Sequence, residues 1–321
     1  MSEHLNCNAC EAPLGPWLSM SIDAIKNQPT PYSAVKKCSA CGLGMLDPLP
    51  PADAIPSFYV LDSYYTHGDG HVVKRPPTIA DKILTKLAWL MDRRRPFEPA
   101  QIAERLPKGG KVCDLGCGHA HHLKRFLDLG FEVTGVDPDA AAREFAALAG
   151  ITVEAGTGED VPDTLSEGSF DLVLMTHSLE HCRNPRKALE NVFRLTKPGG
   201  LCYIEVPNCT AEHFKTFTVC STMFDAPRHM YFFSPTNLKQ LMRNIGFVPI
   251  DMLYDGYVRQ FDQSWRGWET TIADRLASHD PSQKPRRHSF FSSVLLLLRS
   301  FWRSPDEKYD SFGLLMQRPQ V

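Results

Sequence analysis

Hydrophobic and polar positions between residues 98 and 260 follow two alternating periods. Short apolar runs such as KVCDLG, FEVTGVD and FDLVLMTH indicate buried strands, and each is followed by a segment with helical spacing. Helices are predicted over 122–129, 140–147, 185–195 and 235–245, the last ending at Gly246. Strands that alternate with helices predict an α/β fold, with a parallel sheet and helices on both of its faces.

The chain on either side of this region follows other patterns. Residues 79–95 have apolar positions at helical spacing and end in three arginines before Pro96, which predicts an amphipathic helix. The last two predicted strands, FVPIDMLYDG and FGLLMQRP, are separated by about fifty residues. We therefore predict five segments: a small N-terminal module (1–50), an aromatic linker with a helix (51–97), an α/β core (98–261), an insertion (262–310) and the last core strand (311–321).

The insertion contains the apolar stretch SFFSSVLLLLRSFW. Leu295, Leu298 and Trp302 share one helical face, but the opposite face is also apolar. A buried helix, a dimer contact and a membrane-surface helix all fit this pattern. Because few basic residues lie nearby, we favour packing, or a homodimer through residues 286–303, and expect the insertion to be a substrate cap or an oligomer contact.

Composition and charge limit the classes of partner. The chain has 321 residues, 43% of them hydrophobic and 22% charged, with a net charge of −2. No overall positive field is available to hold nucleic acid, so no nucleic-acid partner is expected. No apolar run is longer than that of Val294 to Leu298, which is far shorter than the ~20 residues that span a bilayer. The first residues lack the layout of a signal peptide, and we expect a cytoplasmic protein.

Four of the ten cysteines form two pairs near the N-terminus. They are Cys7-x-x-Cys10 and Cys38-x-x-Cys41, and Gly42 follows the second pair directly. Two C-x-x-C turns that face each other supply four thiolates in the closed tetrahedral arrangement of a structural zinc site. A redox dithiol and incidental cysteines are the alternatives, but a redox pair usually occurs once, near a βαβ unit.

A glycine loop at the end of the first core strand is the candidate ligand site. Asp114 precedes Gly116 and Gly118, and Asp137 ends the next strand. A dinucleotide motif requires a third glycine where His121 stands. An acidic residue beside the loop disfavours phosphate, and a second one can accept ribose hydroxyls. These two acids suit S-adenosylmethionine, which carries ammonium and sulfonium charges.

Five motifs, in order, carry a family resemblance. VCDLGCG (112–118), GVD (135–137), GSFDLV (168–173), HSLEH (177–181) and LTKPGG (195–200) together resemble the class I S-adenosylmethionine-dependent methyltransferases over residues 98–260. The double C-x-x-C with Tyr59, Tyr64 and Tyr65 resembles the zinc-ribbon branch of that family, and DAPRHMYFFS (225–234) resembles a segment of small-molecule and sugar-modifying members. The resemblance implies a Rossmann-like, doubly wound, seven-stranded and mostly parallel sheet, preceded by a small zinc-binding module.

The resemblance also implies residue roles around the cofactor. The methionine end of the cofactor would contact the glycine loop, and its ribose would contact Asp137. The adenine would lie beyond the end of the third strand, and the methyl group beyond the end of the fourth. Tyr65 would reach over the sulfonium by attraction of the cation to the ring, or would instead pack in the linker. The implied cofactor-binding residues, together with Tyr65, are Asp114, Gly116, Cys117, Gly118, Asp137, Pro138, Gly158, Glu159, Thr176 and His177.

Methyl transfer to a hydroxyl, an acidic carbon or a protonated amine requires removal of a proton. Histidine suits this task because its pKa lies near neutrality. His229 is the first candidate for the base, with Tyr231 beside it, and His177 is a further candidate. The alternative for His229 is a packing role that orients a cap over the cofactor, and for His177 closure of the cofactor pocket.

The predicted function is S-adenosylmethionine-dependent methyl transfer to a small-molecule or carbohydrate-like metabolite, with O- or C-methylation favoured over N-methylation. One alternative is an RNA or protein methyltransferase whose zinc module recognises the substrate. Another is a non-catalytic module that keeps the fold and the cofactor site. The net charge argues against RNA, and the intact acids at 114 and 137 argue against loss of cofactor binding.

Overall fold

A computed structural model describes residues 6–60, 76–93 and 95–320, which form two compact units. The first unit comprises the described residues of Met1–Arg95 together with Pro207–Pro235 and Tyr254–Ser311. The second comprises Pro96–Val206, Thr236–Leu253 and Phe312–Val321, again as far as they are described. These units cut across the five segments expected from the sequence, whose boundaries stay a prediction.

The strands and helices of the described residues are as follows. In chain order the strands are β1 (Leu14–Ser19), β2 (Ile22–Asp23), β3 (Gln28–Pro29), β4 (Ala34–Cys38), β5 (Gly44–Leu46), β6 (Lys111–Leu115), β7 (Glu132–Val136), β8 (Thr152–Glu154), β9 (Phe170–Thr176), β10 (Thr196–Pro207), β11 (Tyr231–Phe232), β12 (Val248–Asp255) and β13 (Ser311–Gln317). The helices are α1 (Ile55–Phe58), α2 (Ile79–Met91), α3 (Pro99–Ala103), α4 (His121–Asp128), α5 (Ala140–Leu148), α6 (Pro185–Leu195), α7 (Glu212–Phe217), α8 (Pro235–Ile245), α9 (Gln263–His279), α10 (Phe290–Phe301) and α11 (Pro305–Lys308).

The second unit is built on a seven-stranded sheet, counted over the described residues. Its strand order is β12-β13-β10-β9-β6-β7-β8, and the pairs β10–β9, β9–β6, β6–β7 and β7–β8 are parallel. This confirms the predicted Rossmann-like, mostly parallel sheet. Because the carboxyl ends of parallel strands meet at one edge, the loops after β6, β7 and β9 lie along the same edge.

Close packing in the sheet core depends on one glycine. Tyr203 on β10 is buried and stacks on Phe97, with ring centroids 4.2 Å apart. On β13, a Cβ at Gly313 would lie 2.1 Å from the hydroxyl of Tyr203, so only glycine leaves room for this ring. The apolar residues of the strands, with Val112, Leu172 and Leu174 among them, complete the core.

The helices of the second unit agree with the sequence pattern. α6 begins with Pro185, and the side chain of Asn184 accepts the N–H of Lys187 at 3.1 Å as an N-cap. α8 ends before Gly246, which has a φ of +118° and donates its N–H to the carbonyl of Arg243. Both helices have the predicted bounds.

The first unit contains a four-stranded sheet in the order β1-β4-β5-β11. β4 pairs antiparallel with β1 and with β5, and Tyr231 and Phe232 of β11 pair antiparallel with Met45 and Gly44. Trp17 packs against Phe232 with its ring centroid 6.1 Å away. A segment near residue 231 is therefore part of the same sheet as the N-terminal module, which the sequence pattern did not indicate.

α2 ends at Met91, so the prediction of a helix as far as residue 95 was wrong. The backbone turns away because Asp92 and Arg93 bind one side chain instead of continuing the helix. The hydroxyl of Tyr309 donates to Asp92 Oδ1 at 3.0 Å and accepts the N–H of Arg93 at 2.9 Å. The second contact uses the N–H of Arg93, which the next helical turn would need, and Asp92 has an extended backbone with a ψ of 118°.

The insertion is helical. α10 buries Leu296, Leu297 and three serines, while Leu298 and Trp302 are 64% and 86% exposed. The helix expected in this stretch is present, and the homodimer through it stays a prediction. Of the helices that the structure describes, none combines the length and the apolar character needed to cross a membrane.

Candidate cofactor and metal sites

The four N-terminal cysteines come together at the start of the first unit. Sγ of Cys7 lies 3.6 Å from Sγ of Cys41, and Sγ of Cys10 lies 3.5 Å from Sγ of Cys38. All four sulfurs lie within 4.8 Å of one another. Zn–S bonds of about 2.3 Å in a tetrahedron separate the sulfurs by about 3.8 Å, so the arrangement fits a four-thiolate zinc site.

Backbone hydrogen bonds shape the second of the two C-x-x-C loops. Cys38 donates its N–H to the carbonyl of Leu43 at 2.8 Å, and Gly42, with a φ of +74°, donates to the carbonyl of Cys38. The N–H of Cys41 points at Sγ of Cys38. Burial raises the pKa of the Cys38 thiol, but N–H groups of Cys41 and Ala40 outweigh it and lower that pKa to about 7.

Asp114 ends β6 with a buried and partly unsatisfied carboxylate. Its side chain is 1% exposed, and Oδ1 has no hydrogen-bond partner within the described part of the chain. Burial, and secondarily the charge of Asp137, raise the pKa of Asp114 to about 7. A buried carboxylate atom without a partner costs free energy, and a cationic ligand would relieve that cost.

Asp137 and the glycine loop are joined by direct hydrogen bonds. Gly118, with a φ of +49°, donates its N–H to Asp137 Oδ2 at 2.8 Å, and Asp139 donates its N–H to Oδ1 at 2.9 Å. Gly116 has a φ of +82°, and a Cβ there would lie 2.5 Å from Cβ of Ser178. The loop therefore needs glycine both for its backbone and for close packing.

Cys117 and Pro138 complete the loops after β6 and β7. The pKa of the Cys117 thiol is raised by burial and by the nearby carboxylates, which disfavours the thiolate, and its contact with a cofactor stays a prediction. The carbonyls of Asp137 and Pro138 accept Nη1 of Arg143 at 2.9 and 2.8 Å. These bonds hold the start of α5 against the loop.

Gly158 and Glu159 follow β8 and are tied to α6. The carbonyls of both residues accept Nδ2 of Asn191, at 2.9 and 3.1 Å. The carboxylate of Glu159 accepts the N–H groups of Arg183 and Asn184, at 2.9 and 2.8 Å. Glu159 thus binds backbone N–H groups just before α6, and its contact to an adenine stays a prediction.

His177 follows Thr176, the last residue of β9, in a strained conformation with a φ of +51°. Its Nε2 lies 3.3 Å from Glu205 Oε1 and its Nδ1 lies 3.4 Å from Glu180 Oε1. Burial lowers the pKa of the ring, but these two carboxylates raise it to about 10. The two carboxylates therefore favour the protonated ring, which faces both of them at ion-pair distance.

His229 and Tyr231 lie in the first unit. Nδ1 of His229 lies 3.0 Å from the carbonyl of Met223, and since a carbonyl only accepts, that nitrogen carries a proton. In the neutral ring Nε2 then carries the lone pair. The hydroxyl of Tyr231, which is 1% exposed, receives a hydrogen bond from Nδ2 of Asn8 at 2.5 Å. Tyr65, a predicted cofactor residue, lies outside the described residues, as does Tyr64.

Sequence reasoning missed Glu205 and Asn8. Glu205 lies on β10, accepts the hydroxyl of Tyr203 at 2.7 Å and faces His177. One acid within the apolar run LCYIEVP was the available signal, since buried acids are rare unless paired. Asn8 gave no such signal, because a polar residue inside a C-x-x-C turn is ordinary.

Known proteins with similar sequences are methyltransferases. A family profile described as "Methyltransferase domain" matches residues 91–251. The chain belongs to this methyltransferase family. Similar proteins include two named ubiquinone biosynthesis O-methyltransferase. One, from Maricaulis maris, is 28% identical over 56% of this chain and 75% of its own length, and the other, from Xanthomonas axonopodis pv. citri, is 30% identical over 50% and 73%.

Solved structures similar to this methyltransferase include S-adenosylmethionine-dependent methyltransferases from two archaea. The protein from Methanosarcina mazei has a TM-score of 0.47 and 14% identity, with 71% of this chain and 100% of that chain covered. The protein from Archaeoglobus fulgidus has a TM-score of 0.46 and 16% identity, with 68% and 92% covered.

The enzyme is an S-adenosylmethionine-dependent methyltransferase, and the loop geometry fits that cofactor. The unpartnered Oδ1 of buried Asp114 suits a cationic group. Gly116 and Gly118 turn the loop next to it with positive φ angles, and Asp137 is fixed by two N–H donors at the neighbouring strand end. The two carboxylates can bind a positively charged group and accept hydrogen bonds from hydroxyls. These residues include no cluster of cationic side chains that would bind a pyrophosphate.

Proposed function

We propose that this methyltransferase transfers a methyl group from S-adenosylmethionine to an oxygen of a small-molecule acceptor, with a carbon acceptor as the second choice. The assignment of the cofactor rests on Asp114, which is buried beside Asp137. Its Oδ1 lacks a hydrogen-bond partner among the described residues. The preference for oxygen rests on the relatives named O-methyltransferase. Net charge and the absence of a basic field support a small acceptor over nucleic acid.

In this proposal the second unit binds the cofactor. Asp114 faces the charged methionine end, the backbone of Gly116 and Gly118 borders it, and Asp137 with Pro138 receives the ribose. When bound, S-adenosylmethionine supplies a methyl group on a sulfonium, which is already a good leaving group. The protein's contribution is therefore positioning of the acceptor and removal of its proton.

His229 is the proposed base, and Tyr231 its neighbour at the acceptor. The hydrogen bond from Nδ1 of His229 to the carbonyl of Met223 holds the tautomer in which Nε2 can take a proton. The ring of His177 lies between the carboxylates of Glu205 and Glu180, which raise its pKa, so its proposed role is to hold these two acids in place after β9 rather than to accept a proton from the substrate.

The four N-terminal thiolates are proposed to bind a structural zinc ion. All four protein ligands are cysteines, so no position is left open for catalysis. Zinc would stabilise the sheet that includes β11, because β5 of that sheet directly follows the second C-x-x-C loop and pairs with β11.

Cofactor binding tests the first part of the proposal. Isothermal titration with S-adenosylmethionine should give saturable binding to the wild type and at least tenfold weaker binding to Asp137→Ala. Asp128→Asn is the matched control, since that carboxylate is exposed and binds Lys124 on α4. No binding to the wild type, or equal affinity in Asp137→Ala, would overturn the cofactor assignment.

The acceptor class is tested with isotope-labelled S-adenosylmethionine. Wild type and His229→Gln are incubated with phenols, catechols, sugars, amines, total RNA and protein extract, and label is followed by mass spectrometry. Label on a hydroxyl-bearing small molecule, reduced at least a hundredfold in His229→Gln at neutral pH, supports the proposal. Label confined to RNA or protein would replace it with a macromolecular substrate.

Zinc is tested by elemental analysis of matched cysteine variants. Cys38→Ser should lose one zinc equivalent per chain and lower the melting temperature. Cys220→Ser, which removes a buried thiol outside the cluster, should keep the wild-type content. Equal zinc in Cys38→Ser and wild type would exclude the four-thiolate site.

A further inference from the structure

A second cluster of metal-ligand side chains lies in the core of the first unit. His213 on α7, Glu269 on α9 and His288, two residues before α10, are each fully or almost fully buried. One ligand atom from each lies within 4.8 Å of the others. Two imidazoles and a carboxylate are a ligand set found in zinc sites of proteins.

The ligand atoms converge on the carboxylate of Glu269. Nε2 of His213 lies 3.0 Å from Oε1 and 3.1 Å from Oε2, and Nδ1 of His288 lies 2.5 Å from Oε2. Zinc bonds of about 2.0–2.2 Å place ligand atoms roughly 3.3 Å apart in a tetrahedron. The His213 side already has this spacing, and entry of the metal would lengthen the His288 contact.

Neighbouring groups orient the ligands in the way that metal sites require. Nδ1 of His213 faces Oγ of Ser221 at 3.5 Å, while Oε1 of Glu269 accepts the N–H of Thr222 at 2.9 Å and its hydroxyl at 3.2 Å. Metal-bound imidazoles and carboxylates commonly have such outer partners. These contacts leave Nε2 of His213 and Oε2 of Glu269 directed at the centre of the cluster.

His288 is oriented toward the same centre. Its ring stacks on Phe217 with centroids 3.9 Å apart, and its Nε2 has no hydrogen-bond partner within the described ranges. Its polar contact is therefore made through Nδ1, which faces Glu269. One cationic imidazole is enough to neutralise the buried carboxylate of Glu269. Two imidazoles contact this carboxylate, from positions 56 and 19 residues away in the chain, and a metal ion accounts for the second one.

We propose that His213, Glu269 and His288 bind a second zinc ion, distinct from that of the four cysteines. Nε2 of His213, a carboxylate oxygen of Glu269 and Nδ1 of His288 are its protein ligands, and each ring keeps its remaining proton on the other nitrogen. The ion ties α7, α9 and the segment before α10 together. Three protein ligands leave the fourth position of the tetrahedron to a water, and the bound ion would add folding free energy to the insertion.

Elemental analysis of three chains tests this site. Glu269→Gln keeps the shape of the side chain but removes the charge, and it should bind one zinc equivalent fewer than the wild type. Glu212→Gln is the matched control, because Glu212 is next to His213 on α7 but its carboxylate faces Arg303. Equal zinc in Glu269→Gln and wild type would show that the cluster is a metal-free ion pair.

Cobalt separates this site from the cysteine site. Wild type loaded with Co²⁺ should bind one equivalent that shows thiolate-to-cobalt charge transfer and one that shows only the weak bands of nitrogen and oxygen ligands. This measurement needs no variant, so it decides the case even if Glu269→Gln does not fold. Bound cobalt that is entirely thiolate-coordinated would overturn the second site while leaving the cysteine site intact.

Discussion

Asn8, between the two cysteines of the first C-x-x-C loop, donates a hydrogen bond from Nδ2 to the hydroxyl of Tyr231 at 2.5 Å. The same segment is held from another direction, since Leu46 donates its N–H to the carbonyl of Met230 at 2.9 Å and β5 pairs with β11. The first C-x-x-C loop and the strand that carries Tyr231, a predicted catalytic residue, therefore pack together.

A double-mutant cycle should measure this link. Asn8→Ala and Tyr231→Phe should each lower the free energy of unfolding, and their coupling energy should be about 1 kcal/mol, the usual net value of such a hydrogen bond. Urea denaturation at constant zinc checks this. Additive single effects, with no coupling, would mean that the bond contributes nothing in solution.

We expect the ionised carboxylate of Asp114 to lower the free energy of unfolding in the absence of cofactor and to strengthen cofactor binding. Its pKa of about 7 in the folded protein lies above the usual ~4 of an aspartate, so the folded chain holds a proton that the unfolded chain has released. The free energy of unfolding therefore falls as pH rises from about 4 to 7. Asp114→Asn should raise it at pH 8 by on the order of 2 kcal/mol, measured by denaturation without cofactor.

The same carboxylate should make cofactor affinity pH-dependent. A cationic ligand favours the ionised acid, so binding releases a proton and affinity should fall as pH drops below about 7. Titration calorimetry of the wild type and Asp114→Asn at pH 6 and 8 measures this difference. Asp114→Asn should bind at least tenfold more weakly at pH 8 and lose most of the pH dependence. An identical pH dependence in both chains would contradict the assignment.

His177 should titrate far above a normal histidine. Glu205 and Glu180 raise its pKa to about 10, so any stability that this charge adds is present below pH 6.5 and is lost as pH rises through 10. NMR of labelled histidine should show this ring protonated at pH 8, and Glu205→Gln should lower its pKa by at least one unit. Glu190→Gln, in an exposed pair with Arg186, should leave it unchanged.

Arg228 should be far more important for stability than surface arginines. Its buried guanidinium contacts Asp23 at 2.8 and 2.9 Å and Asp225 at 2.8 and 2.9 Å. Arg228→Ala leaves these carboxylates without their cation and should cost about 3–5 kcal/mol. Arg186→Ala, which breaks the exposed pair with Glu190, should cost less than about 1 kcal/mol. Urea denaturation of both variants provides the comparison, and similar losses would contradict the structure.

The sequence by itself determined the parallel sheet, the loops at its carboxyl edge and the two C-x-x-C pairs whose four sulfurs cluster. These features have local causes. A few consecutive residues are enough to show the period of a strand or helix, a glycine loop or a C-x-x-C turn. Asp114 and Asp137 were found for the same reason, since each ends a strand whose neighbours in the sheet follow from its alternation with helices.

Only the tertiary structure decided which distant groups meet. The bond from Asn8 to Tyr231, the contact of Glu205 with His177 and the cluster of His213, Glu269 and His288 join residues that are far apart in the chain. The end of α2 at Met91 was likewise set by Tyr309, more than two hundred residues away. Such contacts depend on how whole helices and strands pack together. The periodicity of a short stretch of sequence does not indicate which distant side chain will contact it.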